Sequence, residues 1–291
     1  MKVPEFSDKE KIEKILDKTG TSLTNIAKRL EIPYVTVWRW LKKDIKPQPR
    51  QSRDIDQVFK EYIDLREIVL DLRERFSDPV KLLKTNPEIR EKFILHMTYH
   101  SNAIEGSRLT MKETEQAIAG EKVKGKEVFE ILEAINHKNA MNYMFEVIKP
   151  GFKISLDYIF KLHSTIMYNF NDKLPGKFRT GHVILTNTEK KLPSAQEVPL
   201  RMDNLIKRVN NFGKDSIGKI AGDHYEFEAI HPFFDGNGRT GRLIMATQLL
   251  CRGFAPAVIR IEDRYNYYMA LGKADYGNYD NIVQMICDSI M

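Results

Sequence analysis

His231-Pro232-Phe233-Phe234-Asp235-Gly236-Asn237-Gly238-Arg239-Thr240-Gly241-Arg242 is the stretch on which the reading of this chain turns. It gathers one imidazole, one carboxylate, an amide, two guanidiniums and three glycines into twelve consecutive residues. Glycine tolerates φ > 0, so Gly236 and Gly238 are expected to turn successive N–H groups toward one point and form an anion-binding nest. The residues that follow, Arg239 to Leu250, carry apolar side chains at helical spacing. The nest should then sit at a helix N-terminus, where unpaired N–H groups and the helix dipole favour phosphate. Arg239 and Arg242 lie three apart on one helical face, so both guanidiniums should reach the same anion. Asp235 suits Mg²⁺, a hard cation usually held by one or two carboxylates together with substrate phosphates. His231 has the unperturbed pKa near neutrality that a general base needs.

Rival readings of the same residues fail on context. Gly236-Asn237-Gly238-Arg239-Thr240-Gly241 is also a G-x-G-x-x-G, with Glu262 about where a ribose-binding acid would fall. A dinucleotide fold needs an apolar strand running into the first glycine, whereas Ala221 to Ile230 is polar and helical in pattern. A Walker A loop needs lysine after its glycines, and none follows here. A glycine turn capped by solvated arginines would explain one or two of these residues, not the whole set in this order.

The stretch resembles the signature of the Fic family, H-x-F-x-[D/E]-G-N-G-R-x-x-R, at every fixed position. That family is helical, and most of its active members transfer AMP from ATP to a protein hydroxyl. The resemblance implies His231 as the base that deprotonates the target hydroxyl and Asp235 as the Mg²⁺ ligand. It implies Gly236, Asn237, Gly238 and Arg239 as the phosphate grip, Arg242 as the γ-phosphate ligand, and Phe233 as a buried anchor. ATP would be the substrate and Mg²⁺ the cofactor. The partner would be a protein with a Ser, Thr or Tyr hydroxyl, self-modification included.

Two further stretches extend the likeness. Ser101-Asn102-Ala103-Ile104-Glu105-Gly106 resembles the inhibitory motif [S/T]-x-x-x-E-[G/N] that some members carry on a helix ahead of the core. Ser101 and Glu105 are i, i+4 and share a helix face, and Gly106 is a plausible C-terminal stop. The resemblance implies that Glu105 pairs with Arg242 and keeps ATP from binding productively. Pro175 to Thr186 resembles the family's flap, a β-hairpin over the site, with a polar tip at Thr186-Asn187-Thr188-Glu189. In the family such a flap holds the target by strand addition. The three matches span about residues 95 to 275, and residues 1 to 60 lie outside them.

A net charge of +6 is unevenly spread, because residues 1–50 hold 12 Lys+Arg against 7 Asp+Glu. Ser7-Asp8-Lys9-Glu10 is a capping box opening a helix with Ile12, Ile15 and Leu16 on one face, closed by Gly20. Leu23 to Leu30 and Tyr34 to Lys43 then read as two short helices around a turn at Glu31-Ile32-Pro33. Small Ala27 falls at their crossing, with Trp38 and Leu41 at core spacing, which resembles a helix-turn-helix. Residues 22–43 are therefore candidates for DNA contact, with Thr36, Arg39, Lys42 and Lys43 open to phosphates or base edges. A basic three-helix cap used for protein contacts is the other reading. Asp44 to Arg53, with two prolines and no apolar periodicity, looks like a linker.

Downstream, residues 54–76 read as one long amphipathic helix, and Asn86 with Pro87 marks the start of another. Thr110-Met111-Lys112-Glu113 and Ser194-Ala195-Gln196-Glu197 are further capping boxes. Cys251 and Cys287 fall in apolar helical stretches and read as buried thiols. No run approaches the ~18 apolar residues of a membrane span, and the start has no apolar leader. The expectation is a mostly α protein: a Fic-type helical core with a short β-hairpin flap, plus a small helical N-terminal domain. Its expected divisions are a basic domain over 1–50, a linker and helical scaffold over 51–94, and a core over 95–291 with the inhibitory helix at about 95–106. The expected activity is a cytoplasmic protein adenylyltransferase autoinhibited by Glu105. A DNA-binding regulator that senses nucleotide, or an enzyme that removes AMP from a modified target, are the alternatives.

Overall fold

The computed structural model describes residues 6–75, 78–185, 190–211 and 216–290. Two compact units divide it, Met1–Asp71 and Leu72–Ile290. In the first, α1 (Asp8–Thr19) opens on the Ser7–Glu10 capping box and ends at Gly20 with φ 64°. Its Ile12 and Ile15 are buried. Helices α2 (Leu23–Arg29) and α3 (Tyr34–Lys42) pack together with Ala27 buried. Their turn carries Glu31 at φ 54°.

Trp40, 4% exposed, fills the core expected of Trp38, which is 36% exposed. Val37, Trp40 and Leu41 form the 3–4 spaced stripe, and Trp38 falls one position off it, with Lys43 Nζ 5.8 Å from its ring centroid.

The stretch read as a linker is shorter than expected. Helix α4 (Pro49–Tyr62) starts at Pro49, whose missing N–H costs nothing at the first helical position. It packs on α1, with Lys11 paired to Asp56 at 2.6 Å and Ser52 Oγ donating to Asp8 at 2.7 Å. The single helix expected over 54–76 is likewise two. The chain breaks at Ile63-Asp64, where the Asp64 carboxylate accepts from the Arg66 N–H and begins α5 (Leu65–Arg75).

The second unit adds α6 (Pro79–Thr85), α7 (Pro87–Ile104), α8 (Met111–Ala119), α9 (Val128–Val147) and α10 (Leu156–Ile166). After these come α11 (Val198–Val209), α12 (Ser216–Ile230), α13 (Asn237–Cys251), α14 (Arg264–Ala274) and α15 (Asp280–Ile290). Asn86 caps α7 through the Ile89 N–H and Thr110 caps α8 through Glu113. The Ser194–Glu197 contact is made as well, but Glu197 itself is the residue preceding α11.

Helix α13 runs through the middle of this unit, packed by α7, α9, α10 and α12 and buried from Arg239 to Leu250. Apolar residues of α9, α10 and α12 and of the loop before α13, among them Met141, Leu162, Phe227 and Phe233, close around its own Leu243.

The β-hairpin flap is not present among the described residues, none of which is a strand. The polar tip, 186–189, lies outside them. The arm at 178–185 is held instead by one side chain. Buried Arg179 donates from Nε to the His231 carbonyl (2.8 Å), from Nη1 to Gly181 (3.0 Å) and from Nη2 to Pro193 (2.5 Å). Its own N–H donates to the Pro232 carbonyl at 2.9 Å. Three side-chain donors spent on backbone carbonyls do the tethering that ladder hydrogen bonds would do in a hairpin.

Candidate active site

The site is built where α12 ends and α13 begins. His231 closes α12 with φ 48°, an uncommon value for a non-glycine residue, and its N–H still donates to Phe227. Phe233 is fully buried, and the His163 ring stacks on it at 3.7 Å between centroids. His163 Nδ1 accepts from the Gly176 N–H at 2.8 Å, so its Nε2 carries the proton and donates to the Asp235 carbonyl at 3.0 Å. Asn237 turns its amide back on Phe233, accepting from its N–H and donating to its carbonyl, both at 2.9 Å. Asn237 is thus buried and occupied in holding the loop.

Of the two nest glycines, only Gly236 is left-handed, at φ 73°, where it precedes the first residue of α13. Gly238 lies within the helix and is required for a different reason. A Cβ there would collide with Glu105 Oε1 and stand 3.0 Å from Arg242 Nη1. The nest expectation is corrected at this residue: the absent side chain admits a carboxylate rather than freeing the backbone.

Arg239 and Arg242 do not converge on one anion. Arg239 is buried, with Nη1 2.7 Å from Glu133 and Nη2 3.3 Å from Asp235. Arg242 points the other way. Its Nε donates to Ser101 Oγ and its Nη2 to the Ser101 carbonyl, both at 2.9 Å, and Nη2 also meets Glu105 Oε1 at 2.8 Å. The Nη1 of Arg242 is buried without a hydrogen-bond partner. Glu105 follows the last residue of α7, and Gly106 behind it has φ 105°, the backbone stop read from the sequence. Burial alone would raise the Glu105 pKa, but the charge and hydrogen bond of Arg242 outweigh it and hold the carboxyl below its usual range.

A cavity of about 410 Å³ opens over these groups. Glu105, His231, Asp235, Gly236, Asn237, Gly238 and Arg242 all line it, whereas Ser101, Gly106 and Arg239 stand behind its wall. Burial pushes His231 down to about 4, so its imidazole is neutral at physiological pH and can accept a proton. The Asp235 side chain is 47% exposed and offers hard oxygen at the cavity, although its Oδ1 also accepts from the Gly236 N–H at 2.6 Å. No group of three or more His, Cys, Asp or Glu that could hold a metal occurs among the described residues. Mg²⁺ bound largely by substrate phosphates needs only one such oxygen donor, so Asp235 fits it.

Four residues here escaped the motif: Arg179, Glu133, Glu228 and the bridging role of His163. Arg179, Glu133 and His163 act through partners distant in sequence, Glu228 has no hydrogen-bond partner for its Oε1, and single residues of this kind carry no spacing signal.

Residues 153–249 match the family described as Fic/DOC. The chain is 31% identical over 247 residues to a protein adenylyltransferase Fic of Nematostella vectensis, covering 80% of this chain and 54% of that one. It is 29% identical over 224 residues to protein adenylyltransferase fic-1 of Caenorhabditis elegans, covering 75% and 44%. The chain thus spans about half the length of the curated relatives it matches. A solved structure of Fic-1 from C. elegans superposes with TM-score 0.67 at 22% identity over 99% of this chain and 86% of that one. One of a Fic family protein from Desulfovibrio desulfuricans gives 0.65 at 26% identity, over 78% and 71%. The described residues include no helix long and apolar enough to cross a membrane.

Proposed function

We propose, for a chain whose residues 153–249 belong to the Fic/DOC family, that it transfers AMP from ATP to a hydroxyl of a protein and is held in check by Glu105. The observation that carries the reading is Arg242, a buried guanidinium whose carboxylate partner lines the same cavity as His231 and Asp235. The hydroxyl oxygen of the target attacks the α-phosphorus while its proton passes to neutral His231. The bond from that phosphorus to the bridging oxygen breaks, and pyrophosphate leaves. Gly236 and the free N–H groups of the first turn of α13 face the phosphates, and Arg242 takes the γ-phosphate once Glu105 withdraws. Mg²⁺ held by Asp235 would neutralise phosphate charge. Catalysis then rests on positioning and charge stabilisation, with His231 assisting. A count of 2 cysteines in the chain does not suggest a disulfide framework and fits a reducing cytoplasmic setting.

The test is transfer of label from α-labelled ATP to proteins of a lysate and to the chain itself. Excess chelator should abolish it, and Asp235→Ala should lose the Mg²⁺-dependent activity in the same way. Labelling that persists in chelator removes Asp235 from the mechanism.

A second activity is supported by the N-terminal unit. Helix α3 exposes Arg39 and Lys42, with Lys43 just beyond it, and contains no acidic residue. If residues 22–43 bind duplex DNA, affinity should fall steeply between about 50 and 200 mM salt, as cations displaced from phosphate are released. Arg39→Ala with Lys42→Ala should flatten that salt dependence. No retention of DNA at low salt would favour a protein contact for this unit.

A further inference from the structure

Glu228 is a carboxyl that the mechanism above leaves idle. It lies in the last turn of α12, one turn before His231, and lines the cavity beside Glu105 and Arg242. Its Oε1 is buried and has no hydrogen-bond partner. That oxygen sits so close to Gly241 in α13 that a Cβ at 241 would collide with it and stand 3.0 Å from Phe227. On the lining of the same cavity, Arg242 Nη1 is the complementary orphan, a buried donor with no acceptor. Two carboxyls therefore share one cavity with one guanidinium, and only Glu105 is bonded to it.

Two carboxylates ionised in so confined a space would repel, and Arg242 is already neutralised by Glu105. The carboxyl without a hydrogen bond is the one that keeps its proton, and a neutral carboxylic acid is a hydrogen-bond donor. The electrostatics agree: burial, with Glu105 adding to it and Arg242 opposing, pushes Glu228 up to about 8. We propose that Glu228 stands in the cavity as a neutral acid and donates its O–H to a phosphate oxygen of the polyanion that replaces Glu105 at Arg242. This rests on the nucleotide reading of the site and adds a binding residue to it. An ionised Glu228 would repel the same phosphate, so the carboxyl sets an upper pH bound on occupancy.

Few other groups around Glu228 change charge over the same range. His224 of its own helix and His231 just after it are held neutral, at about 3 and about 4, by burial. From α14, Tyr267 and Tyr268 are both raised by burial above the usual tyrosine value. From α13, Arg242 is shifted upward by Glu105 despite its burial, and from the end of α7 comes Glu105 itself.

The experiment compares Glu105→Gly with Glu105→Gly/Glu228→Gln, measuring ATP and inorganic tripolyphosphate binding by calorimetry from pH 5 to 9.5 at fixed Mg²⁺, because loss of the Glu105 charge lowers the pH at which Glu228 ionises. With Glu228 present, Kd for both ligands should rise about tenfold per pH unit above the carboxyl's pKa, the signature of one required proton. With Gln, which keeps an uncharged donor in nearly the same shape, Kd should stay level. An alkaline rise that survives Glu228→Gln, or its absence when Glu228 is present, overturns the proposal. A rise confined to ATP overturns the contact with phosphate. The infrared band of a protonated carboxylic acid gives an independent reading without ligand: it should be present at pH 7 and absent from single Glu228→Gln. Failure of Glu105→Gly to bind either ligand at any pH overturns the nucleotide reading and this proposal with it, whereas normal binding without the alkaline rise overturns this proposal alone.

Discussion

Glu105→Gly should raise AMP transfer by an order of magnitude or more, first visible as self-modification. Arg242 cannot serve a γ-phosphate and a carboxylate at once, and at present it is bonded to Glu105 at 2.8 Å. Breaking a fully buried pair costs about 3–5 kcal/mol. The Glu105 side chain is 33% exposed, so only part of that figure applies. About 1.4 kcal/mol already shifts a population tenfold. The substitution also clears the space over Gly238 that the carboxylate now fills. Glu105→Asp, one methylene shorter, should release less. The measurement is initial rate of label incorporation at fixed ATP. A rate unchanged or lowered by Glu105→Gly removes the inhibitory role and returns Ser101 to Gly106 to being an ordinary helix end.

His231→Ala should abolish most of the remaining rate, by about 10²–10⁴-fold, with ATP affinity nearly unchanged. In the proposed binding mode the phosphates face the α13 turn and Arg242, neither of which depends on the imidazole. The loop should survive the change, since its tethers to Arg179 and Phe227 use the backbone of residue 231. Combined with Glu105→Gly, the alanine should cancel the gain, because access to the site cannot replace a proton acceptor. Near-normal labelling by His231→Ala at unchanged ATP affinity would rule the residue out as base.

What the sequence made legible follows the range of the forces involved. The twelve-residue stretch could be read because its chemistry is local: Gly236 turns, α13 begins, and His231 and Asp235 flank the turn. The Ser101–Glu105 spacing was readable as one helix face, and both residues do meet Arg242. Position in sequence could not show which way a guanidinium points. Arg239 and Arg242 share a helical spacing, yet Glu133 on α9 draws one and the end of α7 the other. Trp38 and Trp40 are both plausible core residues by composition, and the phase set by Val37 and Leu41 decides between them. The strand-like arm at 178–185 was misread because β-branched and aromatic residues suit any half-buried extended segment. A buried arginine bonded to three carbonyls leaves no pattern in sequence.

Helix α13 is packed by other helices on several sides, and this decides which half of the Arg242–Glu105 pair can move. Arg242 is a fixed post, since shifting it would open voids along a buried helix. Under the proposed autoinhibition Glu105 is the latch. It hangs just past the buried last turn of α7 with a side chain 33% exposed, so it can swing out while that turn stays packed. Under the proposed autoinhibition the gate would open by the swing of one side chain at a helix end, and its set-point could be tuned from outside the catalytic loop. Whatever grips or loosens residues 101–106 would then change the fraction of open molecules while every reacting group stays in place.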